Sequence, residues 1–177
     1  MRRVLISGGG IAGLTVALLL KKIGYEPLIV ERTSALRTEG YMMDFFGTGW
    51  DVAERIGLLS EFKKVHYPIE TMQFVNQNGR PWYDVSLQKI GRAMGGAYTY
   101  LRRPDIEQIL YREVMKADIT IQYGASIATL VEKEDGIEAT LSDGTSELFD
   151  FVVGADGIHS RVRELTFGPE KKFARYL

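Results

Sequence analysis

Cysteine is absent from the 177 residues, and histidine occurs only twice, at positions 66 and 159. Without thiolates there can be no disulfide, no thiol nucleophile and no cysteine-ligated zinc. Two imidazoles are also too few for a histidine-built metal centre, so no metal site is expected and His66 and His159 read as structural or surface residues. An excess of one charge is missing as well: 22 Lys and Arg oppose 23 Asp and Glu, for a net charge of −1. That removes the electrostatic footprint of nucleic-acid or anionic-lipid binding, and neither partner is expected. No apolar run approaches the ~20 residues of a membrane helix. Met1-Arg2-Arg3 before an apolar stretch ending at Leu20 has the outline of a secretory signal, but the three glycines Gly8, Gly9 and Gly10 interrupt it, and a cytoplasmic location is expected. No Ser-His-Asp set, carboxylate pair or internal repeat is visible, so no catalytic residue is assigned. What remains is an ordinary globular composition, 45% hydrophobic and 25% charged.

The informative stretch lies at the start. Val4-Leu5-Ile6-Ser7 reads as a buried strand, Gly8-Gly9-Gly10-Ile11-Ala12-Gly13 as a tight turn opening a helix, and Pro27-Leu28-Ile29-Val30 as a second strand ending in Glu31. This is the order of a dinucleotide-binding βαβ unit. Gly8 permits the sharp turn, Gly10 lets backbone N–H groups approach a pyrophosphate, and Gly13 lets the helix pack close to the strand. The helix N-terminus, at Ile11 and Ala12, offers unpaired N–H donors and a partial positive charge. The carboxylate of Glu31, eighteen positions after Gly13, can accept from ribose hydroxyls.

The helix from Ile11 is apolar nearly all round, which predicts burial on more than one side, and Gly24 is placed to end it. Residues 33–49, including Arg37, Met42, Met43, Asp44, Phe45 and Phe46, lack helix or strand periodicity and read as an irregular loop. A short helix is expected over 50–56. Strand-like runs at 71–75 and 82–87 flank Asn76-Gln77-Asn78-Gly79, a hairpin signal. A glycine-rich break at 91–96 precedes another strand, 97–101. Pro104 suits the first position of a helix, where its missing N–H costs nothing. Arg102 and Arg103 are electrostatically unfavourable at that helix end, so they are either a solvated pair or a contact for an anionic ligand. Runs at 127–131, 137–141 and 147–149 alternate across Asp135-Gly136 and Asp143-Gly144 as a three-stranded meander. Phe151-Val152-Val153 then reads as a parallel-sheet strand delivering Gly154-Ala155-Asp156-Gly157 at its carboxyl end, with a helix over 158–165.

Taken together, Gly8-x-Gly10-x-x-Gly13, Glu31-Arg32, Arg103-x-x-Ile106-x-x-x-Leu110 and Gly154-Ala155-Asp156-Gly157-x-x-Ser160-x-x-Arg163 resemble the class A flavoprotein monooxygenases, the aromatic hydroxylase type, in the family's order. The resemblance implies an α/β fold: a Rossmann-like FAD-binding domain with a β-meander, plus a small β-hairpin belonging to an incomplete substrate domain. It divides the chain into 1–70 and 97–168 as two segments of the FAD-binding domain, 71–96 as the substrate-domain hairpin and 169–177 as the start of that domain's continuation. It also implies that Gly8, Gly10, Ile11, Ala12 and Gly13 cradle the FAD pyrophosphate, that Glu31, with Arg32 beside it, meets the adenosine ribose, and that Arg103 reaches the flavin side. Asp156 and Gly157 form the second fingerprint, associated with FAD and NAD(P)H, and the backbone at Ile127 meets the adenine.

The implied reaction is reduction of FAD by NADH or NADPH, capture of O₂ as a flavin hydroperoxide and hydroxylation of a small organic, aromatic substrate. Met42, Phe45, Phe46 and Trp82 are candidates to line its pocket. The family continues with a substrate-binding sheet and a Gly-Asp motif, whereas this chain stops at Arg175-Tyr176-Leu177, so it reads as the N-terminal half, associating with itself or with a complementary C-terminal half. Two rivals remain: an NAD-dependent Rossmann dehydrogenase, and a non-catalytic nucleotide-binding fragment.

Overall fold

The computed structural model describes residues 2–36 and 39–175. Arg37 of the irregular stretch and the terminal Tyr176 and Leu177 lie outside the described residues. The fold is mixed α/β, and the chain divides into two compact units, Met1–Arg37 with Leu110–Leu177, and Thr38–Ile109.

In the first unit, β1 (Arg2–Ser7), β2 (Tyr25–Glu31), β7 (Thr120–Tyr123) and β11 (Phe151–Gly154) form a parallel sheet in the order β11-β1-β2-β7. Val4, Leu5 and Ile6 are fully buried, which is why β1 shows no alternation in the sequence: it is central and covered on both faces. The connection from β1 to β2 is α1 (Ile11–Lys22). Only Gly13, Leu14 and Ala17 of this helix are buried, and Val16, Leu18, Leu19 and Leu20 are half-buried. Between Ile11 and Leu20 only Ala12 is exposed, so the helix is covered, fully or in part, on more than one side.

A second, antiparallel sheet of the same unit is the meander β8 (Ile127–Lys133), β9 (Gly136–Leu141) and β10 (Ser146–Phe149). Its inward residues Ile127, Ala139, Leu141 and Phe149 pack with Leu5 and Val30 of the parallel sheet into one core. Arg3 fastens the two sheets at the rim: its backbone N donates to Asp150 Oδ2 at 2.7 Å, and its guanidinium pairs with Glu147 at 2.6 Å and lies over the Phe149 ring. After β11, α6 runs over Arg161–Phe167.

In the second unit, β3 (Met42–Phe46) pairs antiparallel with β6 (Tyr98–Arg102). The stretch expected to be an irregular loop thus contains a strand. Its inward Phe45 packs edge-on against Phe62 at 5.4 Å and near Trp50 at 6.2 Å, on α3 (Leu59–Lys64) and α2 (Thr48–Ile56). The hairpin is present as β4 (Thr71–Val75) and β5 (Pro81–Ser86), and Asn76 Oδ1 shapes its turn by accepting from Asn78 N and Arg80 N. Leu87 opens α4 (Leu87–Ala93) instead of extending the strand, because Ser86 Oγ caps that helix by accepting from Lys89 N. The last helix, α5 (Arg103–Lys116), begins in this unit and continues into the first.

Candidate functional site

β1, β2 and β7 run from β1 outward in one direction, while β11 sits on the other side of β1. The strand order therefore reverses between β1 and β11, and open α/β sheets bind ligands outside the carboxyl ends of the strands at such a switch point. The register puts Ser7, Val30 and Gly154 side by side at that edge, with Glu31 next to Tyr123. The turn Gly8–Gly10 and the segment after Gly154 leave the sheet from there.

The two glycine segments meet through their backbones. Ala155 N donates to Ser7 O and Gly8 N to Val30 O, each at 2.8 Å. A Cβ on Gly8 would lie 2.4 Å from the Ala155 carbonyl oxygen, and Gly8 also has a φ of +109°. A Cβ on Gly13 would lie 1.8 Å from the Gly8 carbonyl oxygen. Both distances are far inside van der Waals contact, and the obstructing atoms are main chain, so neither position accommodates a side chain without moving the turn. Gly10 is the N-cap of α1 and brings no side-chain acceptor. The first N–H groups of α1, at Ile11, Ala12 and Gly13, have no intrahelical partner by helix geometry, and they open at the same carboxyl edge.

Glu31 reaches back over this turn. Its Oε2 accepts from Gly9 N at 2.7 Å, and its Oε1 accepts from Thr33 N at 2.9 Å and Thr33 Oγ1 at 3.0 Å. The acid thus orders the glycine turn as well as standing beside it. Thr33 was not singled out from the sequence, although a hydroxyl two residues beyond a strand-ending acid is a recognisable local hydrogen-bonding pattern. Arg32 next to it is exposed.

Asp156 is engaged with α6. Its Oδ2 accepts from Arg161 N at 2.7 Å and Val162 N at 3.1 Å, and Ser160 Oγ donates to its Oδ1. Ser160 in turn caps Arg163 N at 3.0 Å. These bonds start α6 at Arg161, three residues later than the sequence suggested. Gly157, with a φ of +83°, makes the turn between the aspartate and the helix. Ile127 is buried in the core, at a β-bulge that shifts the register between Ile127 and Thr129.

In the second unit, Arg103 contacts Glu107 through both terminal nitrogens, at 2.6 and 3.3 Å, and Glu107 is only 2% exposed. Arg102 makes a bidentate pair with Asp105, 2.8 Å on each arm. The arginines at this helix start are therefore neutralised by acids one turn on, which removes the electrostatic anomaly seen in the sequence. Of the suggested pocket residues, Phe45 is core, whereas Met42, Phe46 and Trp82 are exposed.

The model of the FAD-binding domain family matches residues 1–171. The chain belongs to this FAD-binding domain family. Among its relatives, an uncharacterised protein of Mycobacterium tuberculosis is 34% identical over 178 residues, covering 100% of this chain and 48% of the relative. FAD-dependent monooxygenase asL4 of Sarocladium schorii is 35% identical over 172 residues, 94% of this chain and 39% of the relative. Among solved structures, tetracycline destructase Tet(55) superposes with a TM-score of 0.81 at 25% identity, covering 94% of this chain and 41% of that one. The FAD-binding domain described here thus spans less than half the length of each of these proteins, and it resembles the FAD-binding portion of flavin-dependent, class A type monooxygenases. Its residues fit the cofactor: the side-chain-free cradle at Gly8 and Gly13, the free helix end and the acid at the end of β2 are what a dinucleotide pyrophosphate and ribose require.

Proposed function

We propose that this FAD-binding domain serves an NAD(P)H-dependent monooxygenase that hydroxylates a small aromatic substrate. The observation that carries the reading is the backbone contact between Gly8 and Ala155 at the strand-order reversal, because it joins two motifs far apart in sequence into one bare, side-chain-free cradle. In this reading, Gly8, Gly10, Ile11, Ala12 and Gly13 present main-chain donors to the pyrophosphate. Glu31 accepts from the adenosine ribose while keeping the turn in shape, with Arg32 beside it. Ile127 offers its backbone to the adenine, Arg103 is assigned to the flavin by the family's motif, and Asp156 with Gly157 holds the second segment in position by anchoring α6. Bound FAD supplies the redox chemistry, in which NAD(P)H, a proton, O₂ and a substrate C–H are converted to NAD(P)⁺, water and a C–OH group.

The substrate pocket and the enclosure of the flavin ring come from a complementary part of the enzyme, or from a second copy. The hairpin β4–β5 supports this, since Met72, Phe74 and Tyr83 share one of its faces by register and are all exposed. A cytoplasmic setting, with reduced nicotinamide available, suits the reaction.

The test is titration of the purified 177-residue protein with FAD, followed by flavin fluorescence. Saturable binding is expected, weakened at least about tenfold in Glu31→Ala, which loses charge-assisted hydrogen bonds. Folded protein that takes up NADH but not FAD would move the reading to a dehydrogenase. Binding of neither would end it.

A further inference from the structure

The two open edges of the β4–β5 hairpin are chemically unlike. Among the described residues β4 and β5 form a two-stranded sheet of their own, and every residue of β4 is exposed. A ribbon of this kind is marginal in water, and independent stability takes three or more strands with an apolar face. The unpaired N–H and C=O groups along each outer edge are a template for a further strand.

The ladder fixes which residues carry those groups. Leu87 N donates to Glu70 O at 2.9 Å, which makes Glu70 and Leu87 a hydrogen-bonded pair. By alternation Met72–Val85 and Phe74–Tyr83 are the next such pairs, whereas Thr71–Ser86 and Gln73–Asp84 are not hydrogen-bonded to each other through the main chain. The main-chain groups of Thr71 and Gln73 therefore point away from β5. Beyond the bulge at Phe74 and Val75, Asn76 N donates to Arg80 O, which places Val75 in the same outward set. On β5 the outward residues are Pro81, which has no N–H, Asp84 and Ser86.

The β4 edge, Thr71-Met72-Gln73-Phe74-Val75, has no charge and no proline to repel a neighbour. It is also complementary to itself. Antiparallel pairing about a two-fold axis at Gln73 sets Gln73 opposite its own copy and Thr71 opposite Val75, all with outward main-chain groups, and Met72 opposite Phe74 between them. Met72 and Phe74 share a face with Val85 and Tyr83, so pairing extends one row, Tyr83, Phe74, Met72, Val85, across both hairpins. Gln73 Nε2 donates to Asp84 Oδ1 at 3.0 Å, which turns that side chain toward β5 and leaves the axis clear. The same operation on the β5 edge would set Asp84 against Asp84 and bring Pro81 into the ladder, both unfavourable.

We propose that the protein forms a two-fold dimer in which β4 pairs antiparallel with β4 of a second copy, joining the two hairpins into one sheet. One five-residue strand from each copy makes an interface at the small, transient end of the range, so the dimer forms at about 10–100 μM. Flavin binding plays no part in it, and its outcome is independent of the FAD titration.

The test is sedimentation equilibrium of the 177-residue protein, in which the mass is expected to rise from 19.9 kDa toward twice that value between about 1 and ~200 μM. Hydrogen exchange followed by NMR at both concentrations locates the contact. The Thr71, Gln73 and Val75 amides are expected to slow at least about threefold at the higher one, with Asp84 and Ser86 unchanged. Gln73→Pro removes an outward N–H without touching the ladder of the hairpin, and is expected to keep the protein monomeric. A mass of 19.9 kDa throughout would overturn the proposal, as would a dimer whose Thr71, Gln73 and Val75 amides exchange no more slowly than in the monomer. Both outcomes are read on the unaltered protein and stand even if the variant fails to fold. A folded Gln73→Pro protein that still dimerises would overturn it too.

Discussion

At the scale of single residues, Arg103 illustrates how one side chain can be claimed by two explanations. Its guanidinium spans both carboxylate oxygens of a buried Glu107, so truncation would withdraw compensation from a charge that water hardly reaches. Because the Arg103 side chain is itself 25% exposed, solvent screens part of that loss. Arg103→Ala is expected to cost about 1–3 kcal/mol in urea unfolding, less than a fully buried pair would. Arg103→Lys should recover only part of it, since an ammonium keeps the charge but lacks the planar fork. The same variants separate the alternatives for this residue. Loss of FAD affinity with unchanged stability would assign Arg103 to the ligand, and loss of stability with unchanged affinity would assign it to Glu107. Residues with a steric role behave differently. Gly13 is fixed by a main-chain oxygen, and no rotamer adjustment can make room for a methyl group 1.8 Å from it.

At the scale of elements, α6 is short and owes its start to side chains. Asp156 satisfies two of its first N–H groups and Ser160 a third, so the seven residues of Arg161–Phe167 depend on caps more than on propensity. Asp156→Ala is expected to cost about 1–2 kcal/mol and to raise hydrogen-exchange rates of the α6 amides specifically. Uniform exchange across the unit would argue against a capping role. The elements also show what could be read from the chain in advance. β1, β2, the hairpin and the meander announce themselves because each has one environment per face and clear turn residues between runs. β3 does not, because Met43 and Phe45 face the core while Met42 and Phe46 on the other face are apolar too, so the period of two is invisible without knowing which side is covered. α4 was hidden by Gly91, which reads as a break, although Ser86 three residues before Lys89 carried the cap. Within the candidate site, the glycines and Glu31 were legible as a motif. The return hydrogen bond from Glu31 to Gly9 and the capping duty of Asp156 were not, since both depend on distances that only the assembled sheet defines.

At the scale of the whole molecule, the tyrosines set an alkaline limit. Tyr98, Tyr100 and Tyr123 are all held above the ordinary value of 10.0, chiefly by burial. A group whose folded-state value is raised binds its proton more tightly in the native state, so its contribution is complete below pH 10.0 and is lost as pH rises past it. Denaturant unfolding is therefore expected to show falling stability above that pH, and absorbance titration to show tyrosinate appearing later in native than in unfolded protein. A native titration that matched the unfolded one would contradict the burial of these hydroxyls. Neutral and mildly acidic conditions leave all three protonated and the contribution intact.

The parallel sheet places its earliest strand beside its latest: β1 pairs with β11, and Arg3 and Asp150, 147 residues apart, are hydrogen-bonded. During synthesis at ~5–20 residues per second, roughly 7–30 s pass between the emergence of these two strands. β1 and β2, joined by a short crossover, can pair at once, but the other edge of β1 stays open throughout that interval with three of the most buried side chains of the protein along it. A nascent chain of this design is exposed to strand addition by neighbours until Phe151 to Gly154 arrive and close that edge.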